Sequence, residues 1–328
     1  MKRAKLYILL TVVVVFVVFS AIALWNCYQS EVAENHMRYV GMMNVASEKI
    51  AKTIRGMEMS AMNEFDEVEK HLDSPESVIA ALESKTNLNP EVRGYFAAFE
   101  PNYFPEKGQW FEPYVHHVDS SDFVVRQVGS ARHNYHKSEW YIRAKSSNES
   151  FWSDPYYYYD GTDISGHYTT YVKPIFDKTG QLACVCGADM TFAWLSKELQ
   201  RIDETNRANE LQNKYLDIDT DFYTVVLNHD GGCIAHPEGK IVSLTEEAQL
   251  SDIEEGRSGM IDMDINGVPS MVYYGPIDHV NWSVAVVAAK QNVWTPMIKL
   301  GIIFLLISII GVIIIWGVCR SLNHAKAF

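Results

Sequence analysis

The chain has 328 residues, of which 41 are acidic and 28 basic, so its formal net charge is −13. This acidic balance argues against nucleic acid or an anionic lipid surface as a partner. The sequence also has no G-x-S-x-G, Walker A, H-E-x-x-H or protein-kinase motif, and we expect no catalytic domain in this chain.

Two long uncharged apolar segments lie at the ends of the chain. The first has 25 residues between Lys5 and Glu31, and the second has 20 residues between Lys299 and Arg320. Because a helix rises ~1.5 Å per residue, roughly 20 apolar residues cross the ~30 Å hydrocarbon core of a bilayer. Each segment therefore predicts a transmembrane helix. The alternative for the first is a cleaved signal peptide, but its apolar stretch exceeds the usual ~7–15 residues and no A-x-A site follows.

The charges beside these segments predict their orientation. Basic residues stand at the outer end of each segment: Lys2, Arg3 and Lys5 before the first, Arg320 and Lys326 after the second. Positive flanks remain in the cytoplasm, so we expect both termini inside a bacterial inner (plasma) membrane and residues 28–292 outside the cytoplasm. This middle region contains all 41 acidic residues and 22 of the 28 basic ones, a net charge of −19.

A long helix is predicted after the first apolar segment, as far as about Leu72. Apolar residues recur there at spacings of three and four: Ile50, Ile54, Met57, Ala61, Phe65, Val68 and Leu72. Such a stripe is typical of a helix with one buried face. It could pack on its own domain, and it is also compatible with a rod that carries motion to the membrane and with a homodimer through the long helix.

From Pro90 onwards the pattern changes to strands and turns. Two β-rich units are predicted, joined by a polar helical connector, and Asn266-Gly267 between alternating segments predicts a hairpin. The same residues match the first half of a calcium loop, but Tyr273 stands where that loop needs Glu, which favours the hairpin. The predicted fold class is α+β, with a long N-terminal helix carrying two tandem antiparallel-sheet units between two transmembrane helices.

The cysteines and histidines show no metal or disulfide pattern. Cys184 and Cys186 are two apart in a predicted strand and should face the same side, as small buried residues more readily than as a bridge. The pairs His116-His117 and His133-x-x-His136 have no partner at structural-zinc spacing. We expect no metal and no cofactor.

The order of several segments resembles the double Cache sensor domain, a tandem PAS-like extracytoplasmic module of bacterial receptors. The resemblance is carried by RGYFAAFEPNYFP, by EWYIRA, and by the stretch from WSDPYYYYDG to LACVCGADMTFAWL. FYTVVLNHDGGCIAHPEGKIV resembles the start of the second unit, and WSVAVVAAKQNVWTPM resembles the strand that leads back to the membrane. The resemblance covers most of residues 30–290 and implies ligand sensing and transmembrane signalling.

The resemblance implies a ligand pocket in the first unit. Its expected contacts are Trp140, Tyr141, Tyr156, Tyr158, Asp160 and Asp189. Aromatic walls hold a small ligand or a cation, and a carboxylate pairs with an ammonium group. Two alternatives stay open: Asp189 could instead cap the following helix, and the tyrosine run 156–159 could be an ordinary strand.

One departure from the family pattern concerns the ligand. Amino-acid-binding members carry an arginine two residues before the tryptophan, and Ser138 stands at that position here. Lys137 or Arg143 could substitute for it, although a lysine is not a bidentate fork. This puts amino-acid recognition in doubt, and an amine or another small metabolite fits the remaining residues at least as well.

The sequence thus predicts the sensor portion of a larger receptor, such as a kinase, phosphatase, cyclase or chemoreceptor, because RSLNHAKAF is too short for an output domain. The rivals are a chain that signals through a membrane partner and a membrane-anchored protein whose ectodomain binds another protein. The expected segments are a cytoplasmic N-terminus (1–5), transmembrane helix 1 (6–27), a stalk helix (28–75), a membrane-distal unit (76–192), a connector helix (193–218), a membrane-proximal unit (219–292), transmembrane helix 2 (293–319) and a cytoplasmic tail (320–328).

Overall fold

The computed structural model describes residues 2–84, 89–118, 122–213, 221–238 and 247–324. Its first element, α1, is a single helix of 69 residues, Lys2–Lys70, with no proline to interrupt it. At ~1.5 Å per residue it is about 100 Å long. The chain then turns, and the short helix α2 (Pro75–Ser84) begins where the Ser74 hydroxyl accepts a hydrogen bond from the amide of Ser77, at 3.2 Å.

The first β-rich unit, here called the distal unit, contains a sheet of seven antiparallel strands. These are β1 (Gly94–Phe99), β2 (Pro113–His117), β3 (Phe123–Gln127), β4 (Phe151–Trp152), β5 (Tyr156–Tyr158), β6 (Gly166–Phe176) and β7 (Leu182–Thr191). The strand order is β3-β2-β1-β7-β6-β4, and β5 also pairs with β6. Helix α3 (Glu139–Ser147) covers one face of this sheet, and α4 (Phe192–Asn213) leads away from β7.

The second unit, here called the proximal unit, has five antiparallel strands in the order β10-β11-β12-β8-β9. They are β8 (Phe222–Leu227), β9 (Cys233–Ala235), β10 (Gly259–Ile265), β11 (Val268–Ile277) and β12 (Trp282–Ala289), with helix α5 (Glu247–Glu254) before β10. The two units share a strand arrangement, since β2-β1-β7-β6 in one corresponds to β9-β8-β12-β11 in the other. The predicted α+β class with two tandem antiparallel sheets is confirmed.

The Asn266-Gly267 hairpin is confirmed in place of the calcium loop. Both residues have positive φ, +55° and +83°, and they join β10 to β11 with Ile265 paired to Val268. The Asp264 carboxylate accepts a hydrogen bond from the Gly267 amide at 2.7 Å, so it stabilises the turn itself.

The apolar stripe of α1 packs on the chain's own two units. Its members from Ile50 to Val68 are at most 1% exposed, and Leu72 is partly buried against the same core. The stripe itself therefore packs within the chain, and the homodimer through the long helix stays a prediction that would need another face of α1. Cys184 and Cys186 point into this core from β7, with their Sγ atoms 3.9 Å apart.

Two helices are long and apolar enough to span a membrane. One is the N-terminal part of α1, from Leu10, and the other is Trp294–Val318 within α6 (Gln291–His324); their apolar windows have mean hydropathies of 2.4 and 3.0 and are not buried by the protein. Where the two helices leave the proximal unit, the rings of Tyr28 and Trp294 stack at 5.5 Å. Beside them, Asn292 donates a hydrogen bond to the Tyr39 hydroxyl at 2.7 Å, which ties α6 to α1.

Candidate functional site

The candidate site lies on the face of the distal sheet that is turned away from α1. Alternate residues of each strand point to this face, and those nearest its centre are Gly94 and Phe96 of β1, Tyr114 of β2, Gly187 and Asp189 of β7, and Thr170 of β6. The pairing of β1 with β7 sets Gly94 opposite Asp189 and Phe96 opposite Gly187.

Two glycines allow aromatic rings to lie across the strands at this face. A Cβ atom on Gly187 would lie 2.1 Å from the Phe96 ring, and one on Gly94 would lie 2.6 Å from the Tyr114 ring. Neither ring could keep its position over a larger residue. The glycines in RGYF and CVCGAD therefore create the floor of the site.

A cavity of about 40 Å³ lies above this floor. Its lining is mostly aromatic, with two carboxyl groups and no lysine or arginine: Phe96, Glu112, Tyr114, Val128, His133, Trp140, Tyr156, Tyr158, Ile164, Tyr168 and Asp189. A wider cleft of about 510 Å³ lies outside it and shares His133, Trp140, Tyr156 and Tyr158 with the cavity. Because a cavity of about 10–15 Å³ on this measure already holds one water molecule, the cavity has room for only a few, and a larger ligand would extend past this shared wall into the cleft.

Asp189 is the central polar group of the cavity. Its side chain is 7% exposed, and its Oδ1 accepts a hydrogen bond from the Thr170 hydroxyl at 2.6 Å and a longer one from the Tyr156 hydroxyl at 3.4 Å. Burial raises the pKa of Asp189 to about 6, although these hydroxyls and that of Tyr114 oppose the shift. The carboxylate is thus held by hydroxyl groups, and the charge of Arg93, which is not part of the cavity lining, also lowers its pKa. A cation inside the cavity would favour the ionised form further.

The alternative role of Asp189 as a helix cap does not fit the structure. Helix α4 begins at Phe192, and the Thr191 hydroxyl accepts the hydrogen bond from the Trp194 amide at 3.2 Å. Thr191 therefore caps the helix, while Asp189 lies within β7 and faces the cavity.

Of the six predicted contacts, the structure brings four together: Trp140, Tyr156, Tyr158 and Asp189. The tyrosine run alternates as a strand does, so Tyr156 and Tyr158 face inward while Tyr157 and Tyr159 are 58% and 73% exposed.

The other two predicted contacts lie elsewhere. The Tyr141 hydroxyl donates to Glu100 at 2.7 Å, on the side of α3 away from the cavity. The exposed Asp160 carboxylate accepts hydrogen bonds from the Thr162 amide and hydroxyl and from the Ser165 hydroxyl, at 2.7 to 3.0 Å, and so closes its own loop. Both predictions are corrected for the same reason: a local partner already holds the polar group.

Glu112 is a second buried carboxyl group that the sequence analysis did not select. It is 3% exposed, and burial, followed by the charge of Asp189, raises its pKa well above the ordinary value. A signal was present, because an acidic residue between Trp110-Phe111 and Pro113 is as costly in an apolar segment as Asp189 is after LACVCGA.

The arginine expected by the family pattern is not replaced inside the cavity. Ser138 precedes α3 and lines the outer cleft but not the cavity. The same is true of Arg143, whose guanidinium lies 3.9 Å from the centre of the Phe151 ring. Lys137 lines neither the cavity nor the cleft.

A polar junction connects the wall of the cavity to α1 and to the proximal unit. Glu58 of α1 accepts a hydrogen bond from the Trp152 indole N–H at 2.9 Å, and its other oxygen lies 3.2 Å from Nδ1 of His279. Trp152 is in β4, four residues before Tyr156, and its ring lies 6.4 Å from that of Trp282 in β12. Both units thus meet the long helix at one carboxylate.

The distal unit matches a known family of sensor domains. Residues 78–197 match the model of the first PDC sensor domain of methyl-accepting chemotaxis protein-like receptors. The distal unit is a PDC, or Cache-type, sensor domain. A search of curated proteins gives no significant match.

The Cache-type architecture extends beyond the matched segment, as solved structures show. The extracellular domain of mmHK1S-Z3, a protein described as a histidine kinase, aligns over 80% of this chain and 97% of its own length, with a TM-score of 0.63 and 18% identity. The periplasmic sensory domain of the Campylobacter jejuni chemoreceptor Tlp1 aligns with a TM-score of 0.61 and 16% identity, over 79% of this chain and 96% of its own. The ligand-binding domain of the Pseudomonas fluorescens chemoreceptor CtaA, in complex with L-isoleucine, aligns with a TM-score of 0.53 and 19% identity, over 80% of this chain and 94% of its own. At these identities the likeness concerns the fold.

Proposed function

We propose that this chain is a transmembrane receptor subunit whose distal Cache unit senses a small cationic metabolite, with an amine as its recognised group. The observation that carries the proposal is the buried Asp189 in an aromatic cavity whose lining residues include no lysine or arginine. A ligand ammonium would supply the missing positive charge, and the faces of Trp140, Tyr156 and Tyr158 would favour it further.

The lining favours an amine over an α-amino acid. The solved CtaA domain holds L-isoleucine, and a bound α-carboxylate requires a positive partner. The cavity offers a second carboxyl group, Glu112, instead of a cation, and Arg143 stays in the outer cleft. An anionic end would therefore be repelled where a cationic one is attracted.

The rival function, a membrane-anchored protein that binds another protein, has less support. It would be favoured by a pocket of apolar groups, whereas this one combines tyrosine hydroxyls with two buried carboxyl groups. Such convergent polar groups in an aromatic cavity are typical of a small-molecule site.

Signal transmission would run from the cavity wall to the membrane. A ligand that moves Tyr156 and Tyr158 also moves the segment holding Trp152, and with it the hydrogen bond to Glu58 of α1. We propose that α1 or the proximal unit then shifts relative to α6, with both termini in the cytoplasm of a bacterial inner membrane. A homodimer through α1 would use its opposite side, where Met37, Val45 and Met59 are exposed.

The test is a thermal-shift screen of the full chain in detergent against amines, amino acids and organic acids. A ligand at 100 times its Kd should add about 2.7 kcal/mol to the free energy of unfolding. We expect stabilisation by amines, lost in Asp189→Asn and kept in Asp203→Asn. Asp203 is the matched control because it is also a buried aspartate held by a threonine, Thr224 at 2.6 Å, but lies in α4. Stabilisation by organic acids alone, or by amines in Asp189→Asn as strongly as in the wild type, would refute the proposal.

A further inference from the structure

Glu112 is a carboxyl group of the cavity with a buried oxygen left unpaired in the part of the chain that the structure describes. Its Oε2 is buried without a hydrogen-bond partner, and Nε2 of His133 is 3.5 Å away, beyond a normal hydrogen bond. Asp189, by contrast, is held by two hydroxyl groups. A buried, unpaired carboxyl oxygen that faces a ligand cavity is costly unless a ligand donates to it.

The charged groups around the cavity do not compensate Glu112. Burial lowers the pKa of His133, which favours its neutral form. The guanidinium of Arg93 donates to the His117 carbonyl and to Asp163, and its charge acts on Asp189 and not on Glu112. The other polar groups of the lining are the indole N–H of Trp140 and the hydroxyls of Tyr114, Tyr156, Tyr158 and Tyr168.

The two carboxyl groups lie at opposite ends of the aromatic floor. Glu112 precedes Tyr114 by two residues and so faces the same side, while Asp189 is two strands away, beyond β1. The register puts them four residues apart along the strands, or about 16 Å between Cα atoms at ~3.3 Å per residue and ~4.8 Å per strand. The two side chains and their contacts take up most of that distance, and what remains is the length of a short aliphatic chain over Phe96 and Tyr114.

We infer that the ligand of this site is a short aliphatic diamine, with one ammonium on Asp189 and the other on Glu112. This inference rests on the proposed function and adds the second anchoring residue. The apolar middle of the ligand packs on the floor rings, and the shared wall of His133, Trp140, Tyr156 and Tyr158 moves into the outer cleft to admit it. A monoamine of equal length satisfies Asp189 and leaves Glu112 unpaired.

The test compares 1,4-diaminobutane with 1-aminobutane by isothermal titration calorimetry on the full chain in detergent at pH 7.5. The wild type should bind the diamine at least about tenfold more tightly, since a hydrogen bond to a charged group is worth that much. Glu112→Gln keeps the size of the side chain and should reduce this preference to within about threefold, without weakening 1-aminobutane. Asp189→Asn should weaken both amines. If Glu112→Gln does not fold, judged by its melting temperature, Glu112→Met serves in its place.

The outcomes separate this inference from the proposed function. Equal wild-type affinity for the two amines, or a preference that survives in Glu112→Gln, overturns the diamine while leaving an Asp189-dependent amine receptor. If neither amine binds the wild type, the diamine is overturned as well. In that case the screen described above decides whether another cation depends on Asp189 and so whether the proposed function stands.

Discussion

Asp189 pairs a buried carboxylate with neutral hydroxyl groups, an arrangement that makes cation binding sensitive to pH. Because its pKa in the folded protein is raised to about 6, the group takes up a proton as the pH falls through that value. The protonated form cannot pair with an ammonium. The same shift means that ionised Asp189 disfavours the ligand-free fold above pH 6, so the binding site is formed at some cost in stability.

We predict that the affinity for 1-aminobutane is constant above about pH 7 and falls about tenfold per pH unit below 6. Calorimetric titrations between pH 5 and 8 would measure it, and the amine stays fully protonated over this range. Asp189→Asn should bind weakly at every pH. An affinity that rises as the pH falls from 7 to 5 would mean that another group receives the cation.

The floor of the cavity should depend on the lack of a side chain at Gly187. In Gly187→Ala the new methyl group would collide with the Phe96 ring, which is buried and cannot move freely, so we predict a loss of about 1–3 kcal/mol in the free energy of unfolding. Gly41→Ala is the matched control on an exposed face of α1, where nothing lies within 4 Å, and should be neutral or stabilising by up to about 1 kcal/mol. Denaturant unfolding measures both. If Gly187→Ala and Gly41→Ala changed the free energy of unfolding equally, the Phe96 ring would not need a glycine at position 187.

The residues of the site could be predicted only in part. Asp189 and the inward tyrosines follow from strand alternation, from an acidic residue in an apolar segment, and from the family pattern. Asp160 was misplaced because its own loop supplies its partner, Ser165. Tyr141 was misplaced because the fold brings Glu100, 41 residues away in sequence, to its hydroxyl. Glu112 was missed because β2 lies beside β1 only in the folded sheet, where the register brings it to the cavity.

Among the elements, α1 links the distal and the proximal unit, which lie apart in the sequence. Its apolar stripe packs on both units, its Ser47 hydroxyl donates to the Pro276 carbonyl of the proximal unit at 2.6 Å, and Glu58 meets the distal and proximal units together. The helix and its periodicity were predictable from sequence. The side chains that the stripe contacts could not be predicted, because a stripe of this kind occurs both in coiled coils and in domain cores.

We predict that Glu58→Ala separates binding from transmission. The variant removes the acceptor of the Trp152 indole and the partner of His279, and should cost about 1–2 kcal/mol of stability while leaving amine affinity within about threefold. Glu48→Ala, at an exposed position of the same helix, is the control and should change neither. Hydrogen–deuterium exchange should show that an amine slows or speeds exchange in β12 of the wild type and of Glu48→Ala, but not of Glu58→Ala. An unchanged response in β12 of Glu58→Ala would exclude this junction as the route.

In the whole molecule, two antiparallel sheets pack against one helix, α1, whose N-terminal part is the first apolar segment. The last strand of the proximal unit, β12, leads directly into the second apolar helix, and Asn292 and Trp294 join that helix to α1. A change in the packing of either unit on α1 can therefore reach both apolar helices through these contacts. The architecture was predictable because its signals are long: two apolar segments, one uninterrupted helix and two groups of alternating strands.

The central claim is that an amine in the distal cavity changes the protein at the membrane side of the proximal unit. The most direct measurement is hydrogen–deuterium exchange of the full chain in nanodiscs, with and without the amine that gives the largest thermal shift. We expect altered exchange around the Tyr39–Asn292 contact in the wild type and none in Asp189→Asn, in addition to protection of the cavity strands. Protection confined to the cavity, with unchanged exchange around Tyr39 and Asn292 at saturating amine, would contradict it.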